Sequence, residues 1–239
     1  MNPAAFDYHR AASVQDAVAL LQQHPDAKLL AGGHSLLPVL KLRLAEPPAL
    51  VDIGRIPELR GVREEGAGLT IGALTTHHQL ATDPLVRERA PLLAETAARV
   101  GDRQVRNRGT FGGTLAHADA AADYPAAVLA LEAEIVARGP GGERTIPAAD
   151  FFVAFLTTAL APDEILTEVR LPAPLPRSGT SYQKLANQAS GYAVVGVAAV
   201  VALDEQGRCA EARVGITGAA ERGLRATATE AALLGTSLD

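Results

Sequence analysis

The chain has 239 residues, with 22 Lys+Arg against 27 Asp+Glu and a formal net charge of −5; that length holds one large domain or two to three small ones with a sizeable core. Apolar residues make up 48% and charged residues 21%, a globular rather than a disordered balance, and the mild acidity argues against a nucleic-acid partner. The lone Cys209 excludes an internal disulfide framework, and any iron–sulfur cluster or thiolate zinc site held by this chain alone.

Ser13 reads as an N-cap with Asp16 in the first turn, and Val14, Ala17, Val18 and Leu21 form a helical stripe that stops at Pro25. Residues 28–31 are a short apolar strand running into Gly32-Gly33-His34-Ser35. A second helical pattern follows, with Leu36, Leu40 and Leu44 on one face and Pro38 in the first turn, and 49–53 is the next strand. This alternation predicts a small α/β unit over residues 1–54. Segments 58–63 and 69–74 predict a hairpin, 83–100 a helix capped by Asp83 with Pro84 at its first position, and 124–131 an alanine-rich helix. A second hairpin is expected at 134–138 and 144–146, and a further strand at 164–171. Strands with helices segregated among them predict an α+β unit over residues 55–176, closed by Pro172-Ala173-Pro174-Leu175-Pro176. Beyond it, strands at 181–185, 193–203 and 212–217 and a helix at 227–234 predict a three-stranded antiparallel sheet unit, 177–239. One short helix leaves a face of that sheet uncovered, so the unit is expected to be incomplete as given.

Met1 to Arg10 is polar and lacks the apolar stretch of a secretory signal. The apolar part of the longest uncharged run, 193–203, is too short to cross a bilayer. A cytoplasmic protein without a transmembrane segment is expected.

Two segments carry candidate chemistry. In Leu30-Ala31-Gly32-Gly33-His34-Ser35-Leu36, paired glycines let a backbone approach a ligand closely, and a helix start offers unpaired N–H groups. The alternatives are a pyrophosphate cradle or an ordinary strand-to-helix turn, and the pattern is not the GxGxxG fingerprint of the standard dinucleotide fold. The second is Val105-Arg106-Asn107-Arg108-Gly109-Thr110-Phe111-Gly112-Gly113-Thr114, followed by His117, Asp119 and Asp123. Here Asp123 could accept from ribose or ribityl hydroxyls, or the aspartates are solvated caps on a glycine-rich loop. Two glycine loops in separate units suit one long ligand lying in the cleft between them. His77 and His78 would point different ways on a helix and make a poor chelate, so no metal site is expected. No hydrolase motif and no acid–base carboxylate pair is present.

Ala31-Gly32-Gly33-His34-Ser35-Leu36-Leu37-Pro38 with Lys41-Leu42-Arg43, followed by Val105 through Gly113 as quoted, resembles the FAD-binding medium subunits of molybdenum hydroxylases. The likeness is to the aerobic carbon monoxide dehydrogenase medium-chain type within the xanthine dehydrogenase family, and it extends over residues 6–234. The resemblance implies the vanillyl-alcohol-oxidase (PCMH-type) FAD-binding fold: an α+β protein in which a small α/β domain and a larger α+β domain hold FAD, with a third, C-terminal sheet domain. It implies that Ala31, Gly32, Gly33, His34, Ser35 and Leu36 wrap the pyrophosphate and that Thr110, Gly112, Gly113 and Thr114 contact it from the second domain. Asp123 would bind the ribose part, Leu166 and Lys184 would contact the cofactor near its flavin end, and Tyr192 would stack on the ring. Ala73 and Thr75 are candidates for the cleft wall. Phe111 stands where the family usually has isoleucine, and 118–122 replaces a more polar stretch.

The implied function is electron transfer. A large subunit with the molybdenum cofactor and a small subunit with two [2Fe–2S] clusters would be partners, in a heterotrimer or its dimer, and such partners could bring the chain to the inner face of the membrane. No catalytic side chain is then required, because the flavin supplies the redox chemistry. The alternative is a stand-alone flavin reductase of the related enolpyruvyl reductase type, which needs its own substrate site and acid.

Overall fold

The computed structural model describes residues 2–237; Met1, Leu238 and Asp239, at the outer ends of the units expected at 1–54 and 177–239, lie outside the described residues. β1 (Asp7–Arg10), α1 (Val14–Gln23), β2 (Lys28–Leu30), α2 (Leu36–Lys41) and β3 (Ala49–Asp52) form the first layer, a parallel sheet in the order β1-β3-β2. The Ser13 hydroxyl accepts from the Asp16 N–H at 3.1 Å, starting α1 as the cap predicts. Val14, Ala17, Val18 and Leu21 are its buried residues and share one cluster with Ala49, Val51 and Ile53. Each larger side chain so buried contributes about 1.5–3 kcal/mol.

The second helix is shorter than its apolar pattern. α2 ends at Lys41, Leu40 is buried, and Leu44 is 73% exposed. Arg43 takes φ 56°, its N–H bonds to the Leu40 carbonyl, and the Leu44 N–H bonds to that of Val39. This left-handed cap terminates the helix and turns Leu44 away from the face Leu40 buries.

The middle of the chain is built on β4 (Val62–Glu65), β5 (Gly68–Gly72), β6 (Glu134–Gly139), β7 (Gly142–Pro147) and β10 (Ile165–Leu171), antiparallel in the order β4-β5-β10-β6-β7. A small hairpin, β8 (Phe152–Ala154) and β9 (Thr157–Thr158), follows the short α9 (Ala148–Phe151). Between β5 and β6 run α3 (His77–Thr82), α4 (Pro84–Arg89), α5 (Pro91–Arg99), α6 (Arg103–Arg108), α7 (Phe111–His117) and α8 (Tyr124–Ala130). The helix expected over 83–100 is two helices. Pro91 lacks an N–H and its ring excludes a continuous helix, so α4 ends at Arg89, Ala90 caps it and Pro91 opens α5. Asp83 does cap α4, its Oδ1 accepting from the N–H groups of Leu85 and Val86 at 2.9 and 3.2 Å. α3 and α6 carry no apolar stripe to announce them. They are set by a Thr76–Gln79 capping box and by Asp102 accepting from the Val105 N–H at 2.8 Å.

β11 (Ser178–Ala186), β12 (Ala193–Leu203) and β13 (Cys209–Thr217) pair antiparallel. The sheet has four strands rather than three, because the two-residue β14 (Leu224–Arg225) adds to β13 before α10 (Thr227–Leu233). Every residue of α8 is buried, sandwiched between this sheet and the middle core. Its alanines allow that approach: a β-carbon on Gly215 of β13 would stand 2.0 Å from the Ala126 carbonyl oxygen.

Candidate functional site

β2 delivers Ala31 to Ser35 to the start of α2, and α6 delivers Gly109 to the start of α7; the two glycine segments meet there. A β-carbon on Gly32 would lie 2.3 Å from the Arg108 carbonyl oxygen and 2.9 Å from the Gly109 Cα, so only glycine allows this backbone contact. Gly112 is seated on Ala73, whose Cβ would be 2.5 Å from an added methyl. The Gly112 N–H donates to the Ala73 carbonyl at 2.8 Å and the Phe111 N–H to that of Thr75 at 2.9 Å, docking the second loop on the chain leaving β5. Thr110 caps α7, its hydroxyl accepting from the Gly113 N–H at 3.3 Å. Phe111 is fully buried with its ring edge-on to Tyr124 at 4.9 Å, a pair contributing about 0.5–1.5 kcal/mol beyond its area.

The first loop leaves its donors uncommitted. Among the described residues, the N–H groups of Gly32, Gly33, His34, Ser35 and Leu36 bond to no protein acceptor, and the Ser35 side chain makes no cap. A cavity of about 300 Å³ opens against Ala31, Gly32 and Thr110, with Leu74, Thr76 and the exposed Arg55, Arg60 and Arg108 also lining it. Five free N–H groups and three arginines against the single Asp52 carboxylate in the lining fit a pyrophosphate. Each hydrogen bond to a charged oxygen contributes about 1.5–3 kcal/mol.

His77 supports the second loop from below. It is 2% exposed, with Nδ1 3.0 Å from the Tyr124 hydroxyl and Nε2 3.5 Å from that of Thr114. Burial first, then the nearby His34 and Arg106, lowers its pKa to about 4, so the ring is neutral at pH 7.

Asp123 and Lys184, far apart in sequence, form a buried ion pair at 2.8 Å with side chains 6% and 3% exposed. Burial pushes the Asp123 carboxyl up, opposed by hydrogen bonds from Lys184 and Tyr182. Tyr192 lies on the turn between β11 and β12, half-exposed. Its phenol is raised by burial and by the Asp119 carboxylate, with the Ser35 hydroxyl acting the other way.

The remaining candidates take supporting places. Ala73 and Thr75 are buried and serve through their carbonyls, while the Thr75 hydroxyl donates to the Gly61 carbonyl at 3.0 Å. Their neighbours Leu74 and Thr76 line the cavity instead. Leu166 is 4% exposed in the middle core, opposite Ala137 on β6. Sequence reasoning did not single out Tyr182, Arg55 or Arg60, while Arg108 was part of the second glycine segment. The one available cue to Tyr182 was its place two residues before Lys184 on a strand, hence on the same face.

Residues 4–174 match the family model described as the FAD binding domain in molybdopterin dehydrogenase, and residues 180–239 match the CO dehydrogenase flavoprotein C-terminal domain. The chain is 47% identical to the carbon monoxide dehydrogenase medium chain of Hydrogenophaga pseudoflava, over 98% of this chain and 82% of that protein. It is 41% identical to the 6-hydroxypseudooxynicotine dehydrogenase complex subunit alpha of Paenarthrobacter nicotinovorans, over 100% and 81%. Among solved structures, carbon monoxide dehydrogenase from Hydrogenophaga pseudoflava lacking the Mo-pyranopterin moiety superposes with a TM-score of 0.96 at 49% identity, covering 100% of this chain and 83% of that one. Quinoline 2-oxidoreductase from Pseudomonas putida 86 gives 0.94 at 36% identity, with coverage of 100% and 83%. No helix among the described residues is long and apolar enough to cross a membrane. The chain belongs to the family of FAD-binding subunits of molybdopterin dehydrogenases, of the carbon monoxide dehydrogenase medium-chain type.

Proposed function

We propose that this subunit passes electrons through FAD, from [2Fe–2S] clusters on a small partner to a terminal acceptor, while a large partner with the molybdenum cofactor oxidises the substrate. The observation that carries the reading is the meeting of the two glycine loops, with five uncommitted N–H groups on one of them. FAD supplies one- and two-electron redox chemistry when bound, and the protein's part is to bind and orient it. Ala31, Gly32, Gly33, His34, Ser35 and Leu36 hold the pyrophosphate through backbone donors. Thr110, Gly112, Gly113 and Thr114 close on it from the other loop, which Ala73 and Thr75 hold by their carbonyls. Asp123 accepts from the ribose part, and Leu166, Lys184 and Tyr192 serve the flavin end. The same reading divides the chain after residues 54 and 176. It places the assembly, a heterotrimer or its dimer, in the cytoplasm.

Purification from the native host, with a visible spectrum and identification of bound chains, tests this. A flavin band with iron–sulfur absorbance and two partner chains is the expected result. Flavin on a lone chain that turns over an organic substrate would instead make it a self-sufficient reductase.

A further inference from the structure

Tyr182 is fully buried and its hydroxyl donates to one acceptor, Asp123 Oδ1, at 2.6 Å. Lys184 lies two residues further along β11 on the same face. It donates to Asp123 Oδ2 at 3.0 Å and to the Arg99 carbonyl at 3.1 Å, with the ammonium 2.8 Å from Oδ1 as an ion pair. Each carboxylate oxygen thus takes one donor, Tyr182 on Oδ1 and Lys184 on Oδ2, and each keeps acceptor capacity, while the ammonium keeps one N–H to give. Opposite Lys184 on the eleven-residue β12 stands Gly196, where a β-carbon would be 2.4 Å from the Tyr182 hydroxyl. Glycine inside a strand weakens it and marks a close approach; here the space it leaves is taken by the phenol.

The segment carrying Asp123 is tied to the same sheet. The Gly218 N–H donates to the Ala120 carbonyl at 2.7 Å and the Ala193 N–H to that of Ala121 at 3.2 Å. The Thr217 hydroxyl stands 2.7 Å from the Ala120 carbonyl oxygen and 2.6 Å from that of Ala122. Four contacts from β12, β13 and the turn beyond therefore fix where the backbone of 120–122 lies, and among the described residues the Tyr182 hydroxyl and Lys184 are the side chains that fix how the carboxylate is turned.

We infer that Tyr182 is a positioning residue of the flavin site: its hydroxyl orients the Asp123 carboxylate, and through it the Lys184 ammonium, toward the cofactor. This rests on the flavin reading proposed above, and it assigns the C-terminal sheet a part in cofactor affinity. The charged and titratable groups around Asp123 are Lys184 and Tyr182 on β11, Glu95 and Arg99 on α5, Arg106 on α6, Tyr124 on α8, and Asp119 and Tyr192 in flanking loops. Of these, Lys184 and Tyr182 alone bond to the carboxylate among the described residues. Burial raises the Asp123 carboxyl and these two donors hold it down, so loss of the hydroxyl moves its protonation to higher pH.

The test is titration of the full chain with FAD, followed by flavin fluorescence, from neutral into acid pH. Tyr182→Phe keeps the ring and removes the hydroxyl. It is expected to bind FAD roughly 3- to 10-fold more weakly at neutral pH, and the acid limb of its affinity profile is expected at higher pH than in the wild type. Asp123→Asn is expected to lack that limb. Gly196→Ala, whose β-carbon displaces the same hydroxyl, is expected to move the limb in the same direction. A role in packing alone would weaken binding at every pH and leave the limb in place, and that result in Tyr182→Phe or in Gly196→Ala overturns the inference. Failure of the wild-type chain to bind FAD at any pH overturns instead the flavin reading beneath it.

Discussion

Acid should weaken this fold through His77. The folded ring is buried against Tyr124 and Thr114, and its pKa falls from 6.5 to about 4. The unfolded chain takes up the proton near the ordinary value, and the folded chain does not until about pH 4. The contribution of His77 to stability is therefore complete above about pH 6.5, declines through the window between, and is level below about pH 4. At about 1.4 kcal/mol per unit, the displacement removes about 3 kcal/mol across that window. Urea unfolding at a series of pH values, for the wild type and His77→Gln, isolates the effect because every other titrating group is common to both. Glutamine loses some packing at all pH values but carries no proton of its own. The difference in unfolding free energy between the two proteins should shrink by about 3 kcal/mol from neutral to acid. Parallel profiles would refute the assignment of a buried neutral imidazole beneath the second glycine loop.

Two substitutions probe the same loop. Gly112→Ala places a methyl 2.5 Å from the Ala73 Cβ and 3.0 Å from its carbonyl oxygen, so calorimetry should show a destabilisation of about 1–3 kcal/mol; an unchanged melting temperature would mean the loop does not seat on Ala73. Thr110→Ala removes the α7 cap and should cost about 0.5–2 kcal/mol in the same assay, with Thr110→Ser restoring most of it; equal losses in both would show that the hydroxyl is not the capping group.

Residues with a strong local pattern were readable in advance. The Ser13 cap, the stripe of α1 and the Asp83 cap each follow from a few neighbouring residues whose chemistry admits one local outcome, whereas each glycine loop read locally as either a ligand cradle or an ordinary turn. Asp123 follows the second glycine segment and Lys184 was implied only by the family resemblance, and nothing local indicates that their side chains meet. What was not legible depends on contacts between distant segments or on short polar elements. α3 and α6 are six residues each, without a buried stripe to read. β14 is two residues long and exists only because β13 is there to pair with it. Leu44 belonged to an apolar repeat that Arg43 interrupts by adopting a left-handed conformation usually reserved for glycine. Pro91 was in plain view, and its effect on the 83–100 helix follows from its missing N–H. Tyr182 lacks any motif, since its role comes from a carboxylate 59 positions away.

The account stands on the seam at Gly32, where two loops from different layers touch through backbone alone. Titrating FAD into the wild-type chain and into Gly32→Ala, with the flavin absorbance spectrum as readout, tests it most directly. The wild type should take up FAD, and the alanine variant should lose at least about 100-fold in affinity, as expected when two or more hydrogen bonds to a charged group are disrupted. Equal uptake by both proteins, or none by the wild type, would contradict a cofactor cradle at that seam.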